Sequence, residues 1–351
     1  MKIALDATYS VGPNLSGVGV YSREILKGLA RAHPEARFLY CYRPHRLLGS
    51  FCESLPSNCG RGLLRKNRAP DSDLFHGLNQ RIDCRHLRTV STFHDLFVLS
   101  GDYSTAEFRR KFSELARAAA ERSDLIIAVS RFTAGQVEQL LKVDRGRIRV
   151  IWHGVRHPSE PASQPARERM ILFVGALQRR KNVARLVEAF EQAAPGWQLV
   201  LAGARGFGSE EILARIQASS RRTDIQVPGY VPDAQLDSLY RRASVFAFPS
   251  LDEGFGMPVL DAMAHGLPVL TSNVSALPEV SGDAALLVDP TDVASIAGGL
   301  RELIEDRDLR EQLAIRGLAR SREFAWETAV EKTWSVYQEC LGNKLQGQPE
   351  G

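Results

Sequence analysis

Short apolar runs recur along the chain. Most are followed by a longer stretch in which apolar residues return every three or four positions. The runs suit strands buried on both faces, and the longer stretches suit helices that cover them. Residues 2–6, 37–42, 73–76, 89–93 and 125–129 predict strands, with helices over about 19–32, 104–122 and 131–142. Such β–α–β alternation implies a parallel sheet with helices on both faces. It stops at 156–169, where three prolines, two serines and no large apolar side chain mark a surface linker. It restarts with strands at 170–175, 198–203, 245–249 and 268–271 and helices at 183–194, 209–219 and 256–264. A last amphipathic pattern, about 325–341, carries Trp326, Val330, Trp334, Tyr337 and Leu341. The pattern alone leaves it free to pack on the second domain or to cross back to the first. The expected fold class is α/β, with two doubly wound domains in tandem over 1–160 and 161–324. Ligands of such sheets bind beyond the carboxyl ends of the strands, so the expected site is the cleft between two facing domains.

Length agrees, since 351 residues at roughly 150 per domain make two domains. With 44% hydrophobic and 25% charged residues, the chain is neither disordered, collagenous nor disulfide-rich. Asp6 interrupts the first apolar run before a signal-peptide core forms. No run reaches the roughly 18 apolar residues of a membrane-spanning helix. The five cysteines, Cys41, Cys52, Cys59, Cys84 and Cys340, are odd in number and lack both CxxC and zinc spacing. They read as reduced thiols, and the expected location is the cytoplasm, free or at the inner face of the cell membrane. A net charge of +4 argues against a dedicated nucleic-acid binder.

Candidate chemistry lies where strands hand over to helices. No GxxxxGK[ST] loop occurs, which excludes a P-loop NTPase. Gly17-Val18-Gly19-Val20-Tyr21-Ser22 approximates a dinucleotide fingerprint, but Ser22 stands where the third glycine belongs and the motif starts well after its strand. A dehydrogenase is therefore a poor fit, although two glycines opening a helix still admit a ligand close to the backbone. Gly175 to Asn182 follows a strand and opens a helix, and it contains Arg179-Arg180-Lys181. Cations at a helix's positive end are unfavourable unless an anion sits there. Lys181 would supply a point charge and Arg180 a two-pronged donor. In Glu253-Gly254-Phe255-Gly256-Met257, two glycines at a helix entrance expose backbone N–H groups to an anion. Glu253 before that helix and Asp261 within it are placed for sugar and ribose hydroxyls. Together these segments read as a nucleotide-sugar pocket.

The segment Glu253 to Ala264 resembles the E-x7-E segment of glycosyltransferase family 4. Gly175 to Asn182 resembles that family's phosphate-binding segment. Leu277-Pro278-Glu279-Val280, Gly282-Asp283-Ala284-Ala285, Val288-Asp289-Pro290, Gly229-Tyr230-Val231-Pro232-Asp233, Gly17-Val18-Gly19-Val20-Tyr21 and Phe93-His94-Asp95 also match. The resemblance covers nearly the whole chain apart from about 44–72 and the last ten residues. It implies a GT-B fold, with two Rossmann-like domains around a cleft and a C-terminal helix, about 325–345, crossing back to the N-terminal domain. It implies an acceptor-binding first domain, a nucleotide-sugar-binding second domain, and metal-independent, retaining transfer of a hexose. Mannose from GDP-mannose is favoured, and the expected acceptor is a saccharide or a lipid-linked saccharide of a cell-surface polysaccharide or glycolipid. No metal or other cofactor is expected.

By motif, the resemblance gives Glu253 the sugar hydroxyls, and Arg180 and Lys181 the charge on the departing diphosphate. His94 would sit at the sugar-acceptor end of the cleft. Gly175, Gly254, Phe255, Gly256, Met257, Tyr230 and Val231 would line the donor, with Gly17 and Gly19 approaching from the other side. Two positions depart from the family pattern: Ala176 stands where many members have Arg, and Asp261 stands for the second Glu, a methylene shorter at the ribose.

Two other classes fit the same motifs. A nucleotide-sugar epimerase or isomerase would convert donor without acceptor, and a non-catalytic nucleotide-sugar binding module would bind without turnover. The charge is also unevenly divided. Residues 1–160 carry 25 Lys and Arg against 16 Asp and Glu, whereas residues 161–351 carry 20 against 25. Phe108-Arg109-Arg110-Lys111-Phe112 frames three cations with aromatics, as at membrane surfaces. These residues, with Asp95, are the expected contacts to the acceptor and to an anionic membrane surface.

Overall fold

The computed structural model describes residues 1–12, 14–158 and 167–342; the middle of the linker, 159–166, lies outside the described residues, as do Pro13 and everything after 342. The chain forms two compact units. Unit 1 holds Met1–Ser100, Thr105–Gly154 and the chain from Ala325 on, and unit 2 holds Gly101–Ser104 and Val155–Phe324.

Unit 1 is built on a parallel sheet of β1 (Lys2–Asp6), β2 (Arg37–Tyr42), β3 (Cys59–Leu63), β4 (Leu74–Gly77), β5 (Thr89–Phe93), β6 (Leu125–Ala128) and β7 (Ile148–Val150). Their order is β3-β2-β1-β4-β5-β6-β7. β1 is central, with Ile3 opposite Phe38 on one side and Leu74 on the other. Ile3, Ala4 and Leu5 are fully buried, which is why the run is continuously apolar. The edge strand β3, Cys-Gly-Arg-Gly-Leu, shows no such pattern and is held in place by pairing with β2.

Unit 2 repeats the plan with β8 (Met170–Val174), β9 (Gln198–Ala202), β10 (Ile225–Gly229), β11 (Val245–Phe248), β12 (Val269–Ser272) and β13 (Ala285–Val288), in the order β10-β9-β8-β11-β12-β13. Phe173, Phe248 and Phe246 stack through its core at centroid spacings of 5.6 and 6.0 Å. The edge strand β10 contains Pro228, which only an edge tolerates without losing a ladder hydrogen bond. Val155 N–H donates to the Phe324 carbonyl at 3.0 Å, so the chain enters and leaves unit 2 at one place. The described end of the linker is anchored rather than free. The Arg167 guanidinium donates to the carbonyls of Ala243, His265 and Gly266, and Glu168 pairs with Arg242.

In both sheets the strand order runs outward from the first strand and then reverses, between β1 and β4 and between β8 and β11. Loops that leave neighbouring strands in opposite directions open a crevice at their carboxyl ends. The candidate residues of each unit gather at such a reversal.

The terminal helix, Trp326–Gly342, packs in unit 1 against the helix Gly17–Ala32. Trp334 stacks on His33 at 3.8 Å, and the Tyr337 hydroxyl meets His76 Nδ1 at 2.6 Å. Gly28 makes the close approach possible: a Cβ there would lie 2.3 Å from Val330 Cγ2. Gly28→Val is therefore expected to destabilise unit 1 by about 1–3 kcal/mol, read as a lower unfolding temperature.

Candidate active site

The densest constellation in unit 2 joins the loops after β8 and β11. Arg180 and Lys181 lie in a short 3-10 turn, Arg179–Lys181, and Asn182 follows with φ +61°. Asn182 Nδ2 donates to the carbonyls of Pro249 at 2.9 Å and Pro290 at 2.6 Å, which ties the basic turn to the loop after β11. Leu251 N–H donates back to the Arg180 carbonyl at 2.9 Å. These backbone ties bring Glu253 onto the two cations. Lys181 Nζ lies 2.5 Å from Glu253 Oε1, and Arg180 Nη1 lies 2.9 Å from Oε2. Ser250 Oγ donates to Oε1 at 2.6 Å, and the Phe248 ring lies 4.7 Å from the ammonium. Glu253 is only 6% exposed and each cation 8%. Burial alone would raise the Glu253 pKa, but the charges of Arg180 and Lys181, with the Lys181 and Ser250 hydrogen bonds, outweigh it and hold the group at about 2.

The basic segment and Glu253 thus form one buried cluster. Arg179 alone points outward, to Glu211 and across Phe207. Gly175 follows β8, half-buried, with its N–H on the Ala202 carbonyl at 2.9 Å. Phe255 is buried edge-on to Phe324 at 5.9 Å, so its side chain is a packing element. Gly256 has φ +103°, and a Cβ there would lie 2.7 Å from Leu277 Cδ2. Only glycine fits both constraints. Met257 then opens the helix Met257–Ala264, whose first N–H groups have no acceptor within the helix. Tyr230 and Val231 follow β10 on the same edge of the sheet, the first exposed and the second half-buried.

Asp261 lies in that helix, half-buried. Burial raises its pKa to about 7, with Asp233 pushing the same way and Arg156 opposing. A raised carboxyl favours folding while protonated, and that advantage is lost as pH rises from about 4 through 7. Asp261→Asn is therefore expected to raise the stability of unit 2 at pH 8 by about 1–2 kcal/mol, after discounting for solvent. It should also flatten the pH dependence between 4 and 7, and denaturant melts at pH 5 and 8 check both.

In unit 1, His94 directly follows β5 and is buried. Its Nε2 lies 2.9 Å from the Leu78 carbonyl, which only accepts, so Nε2 carries the proton and Nδ1 the lone pair. Burial lowers its pKa to about 4. His153 stacks on it at 5.4 Å, and Tyr21 sits edge-on at 4.7 Å. A buried chain runs from Tyr337 through His76 and Thr92 to Tyr21, with contacts of 2.6, 2.9 and 2.9 Å. Gly17 is exposed in the first turn of its helix. Gly19 is buried, and a Cβ there would lie 2.8 Å from the Tyr9 carbonyl, so packing explains that glycine. Asp95 is half-buried beside His94. Arg109, Arg110 and Lys111 lie along the helix Ala106–Arg122, where Arg110 pairs with Glu114 at 3.3 Å and Phe108 is exposed.

Sequence reasoning did not connect His76, His153 or Tyr21 to His94, because they come from a strand, a loop and a helix far apart in the chain. Ser250 was legible only as the residue three before Glu253. Among the described residues, no three His, Cys, Asp or Glu form a metal-holding group, and no helix is long and apolar enough to cross a membrane.

A sequence model of the group 1 glycosyl transferases matches residues 158–320, and one of glycosyltransferase family 4 matches 15–157. O-antigen chain mannosyltransferase B of Escherichia coli is 30% identical over 96% of this chain and all of its own length. Sucrose-phosphate synthase from Thermosynechococcus elongatus shares the fold at a TM-score of 0.77 and 22% identity, covering 98% of this chain and 100% of its own. The Anabaena protein HepE, solved with UDP and glucose, does so at 0.73 and 17% identity, over 96% and 99%. With both sheets in the Rossmann-like order, the two family models spanning residues 15–320 and a 30% identical relative covering 96% of its length, this chain belongs to glycosyltransferase family 4.

Proposed function

We propose that the protein is a retaining mannosyltransferase that takes mannose from GDP-mannose and needs no metal ion. The observation that carries this reading is the buried Arg180–Glu253–Lys181 cluster at the β8/β11 reversal. A nucleoside diphosphate is the leaving group of sugar transfer, and two desolvated cations are the charge it needs. As the C1–O bond breaks, Arg180 and Lys181 stabilise the diphosphate, and its departing oxygen takes the proton of the attacking acceptor hydroxyl. Attack and departure on one face retain the anomeric configuration without an enzyme nucleophile. As the diphosphate takes up the cations, Glu253 is released to accept hydrogen bonds from sugar hydroxyls. Neutral His94 offers Nδ1 as an acceptor for a further hydroxyl. N–H groups at 254–257 and Gly175 line the diphosphate, and Asp261 holds the ribose.

The likeness to an O-antigen chain mannosyltransferase supports mannose, and a saccharide or lipid-linked saccharide as acceptor. The exposed Phe108 beside Arg110 and Lys111 supports docking on an anionic membrane face. HepE's complex with UDP makes UDP the second base to test.

Thermal melts with GDP, UDP, dTDP and ADP separate these donors. GDP at 100 times its Kd is expected to add about 2.7 kcal/mol. Lys181→Met is expected to abolish most of that gain. A larger gain with UDP would overturn the choice of donor, and no gain with any nucleotide would overturn the reading itself.

A further inference from the structure

We infer that unit 1 carries a subsite for a phosphate group of the acceptor, in a cavity of about 310 Å³ lined by Arg43, His45, Arg46, Arg81, Thr8 and Tyr9 among others. The inference rests on the chain acting as a glycosyltransferase. The walls come from the loop after β1, the first residues after β2, and the loop after β4. These are the carboxyl ends of strands at the unit 1 reversal, where a doubly wound sheet takes its ligand.

The polar groups of the cavity are already sorted by sign. Asp6 Oδ1 accepts from the Thr8 N–H at 3.1 Å and the Thr8 hydroxyl at 2.5 Å, and its Oδ2 lies 2.9 Å from Arg43 Nη2. Asp83 accepts from Arg43 Nε at 2.9 Å and from Arg81 Nε at 2.8 Å. Both Asp83 oxygens are therefore occupied, and Asp6 Oδ2, which has no hydrogen-bond partner among the described residues, is buried against Arg43 and not open to a ligand. Donors remain instead. Arg43, 7% exposed, is held by the Nε hydrogen bond to Asp83 and the ion contact of Nη2 with Asp6, with its guanidinium 5.7 Å from the centre of the Tyr9 ring. Its Nη1 makes neither of these contacts, and the residue lines the cavity. Arg46 is exposed and, among the described residues, has no carboxylate partner and bonds only the Val11 carbonyl at 3.3 Å. Asp6 and Asp83 balance Arg43 and Arg81, so Arg46 is a surplus cation, with His45 beside it. A guanidinium held rigid by carboxylates, next to an uncompensated second one, matches the forked, doubly charged geometry of a phosphate ester. The acceptor class is then a sugar that carries a phosphate or diphosphate.

The donor's diphosphate has the same chemistry, so the test separates the two sources. Isothermal titration with inorganic pyrophosphate is performed on the full chain carrying Lys181→Met, which removes the unit 2 cation. This variant is expected to bind one pyrophosphate, and adding Arg46→Glu is expected to weaken it at least tenfold. Arg46 is exposed, and unfolding temperatures check that the double variant folds. No pyrophosphate binding by the Lys181→Met chain, or equal binding with and without Arg46→Glu, would overturn the subsite. A second arm titrates GDP into the chain with Lys181 intact, with and without Arg46→Glu. A tenfold loss of GDP affinity on Arg46→Glu would assign the cavity to the donor and overturn the acceptor role. Should the native chain bind none of the four nucleotides while the pyrophosphate result holds, the donor reading falls and the anion site stands.

Discussion

Glu253→Gln is expected to abolish sugar transfer and, in the same protein, to lower the unfolding temperature of unit 2 by about 10 °C. The stability loss follows from the ion pairs. Glu253 sits between Lys181 and Arg180 with all three side chains buried. Replacing it with an uncharged group of the same shape removes the carboxylate that the two desolvated cations share, which costs about 3–5 kcal/mol. For a unit of this size each kcal/mol is worth roughly 2–4 °C. The Glu253→Gln/Lys181→Met double variant removes one of the stranded cations, and should recover part of the stability but none of the activity. Pyrophosphate or GDP should likewise stabilise Glu253→Gln more than the native chain, because the anion then meets cations with no carboxylate competitor. A double-mutant cycle of melts, with and without GDP, reads all of these. Independent, additive effects of the two substitutions would break the link between the carboxylate and the cations.

Unit 1 is expected to unfold in mild acid while unit 2 stays folded. Its three central histidines are held neutral. Burial lowers His76 to about 3 and His94 to about 4, and lowers His153 well below its ordinary value, with the charge of His94 adding to the effect on the other two. In the unfolded chain each titrates near 6.5. Between about 6 and 4 the unfolded state therefore binds up to three more protons, and stability falls by about 4 kcal/mol for each pH unit lost. The sign is unambiguous: stability is full above about 6.5 and drains as pH falls. Unit 2 has no matching liability there. Asp261 works the other way, and Glu253 loses its contribution only as pH drops from 4.5 towards about 2. Trp152, Trp326 and Trp334 lie in unit 1 and only Trp197 in unit 2, so tryptophan fluorescence follows the first unit. His153→Phe should flatten the acid slope by about one third. A transition that is insensitive to pH between 7 and 5 would contradict the neutral-histidine core.

Central strands were legible in the sequence because burial on both faces writes a continuous apolar run, as in Ile3-Ala4-Leu5 and Ile171-Leu172-Phe173. The edge strands β3, β7, β10 and β13 were not; in β3 and β10, pairing on one side alone leaves Gly60, Gly62 and Pro228 acceptable. At the site, Arg180, Lys181 and Glu253 were legible as residue types suited to a sugar diphosphate. Their mutual pairing was not. It depends on Asn182 reaching Pro249 and Pro290, contacts 67 and 108 residues apart that no local pattern records. The motifs placed Glu253 in one pocket with the cations but carried no sign that it pairs with both. The histidine stack was invisible because His76, His94 and His153 come from separate segments, and the helix that completes their surroundings begins only at Trp326.

The account turns on whether the buried cations stabilise a departing nucleoside diphosphate at a carbon that keeps its configuration. Proton NMR of GDP-α-mannose with the native chain in EDTA, recorded before mutarotation, reads both points through slow hydrolysis or transfer to water. The expected result is α-mannose and GDP as first products, at a rate that Lys181→Met lowers by at least about 100-fold. First release of β-mannose, or an equal rate in Lys181→Met, would contradict the account.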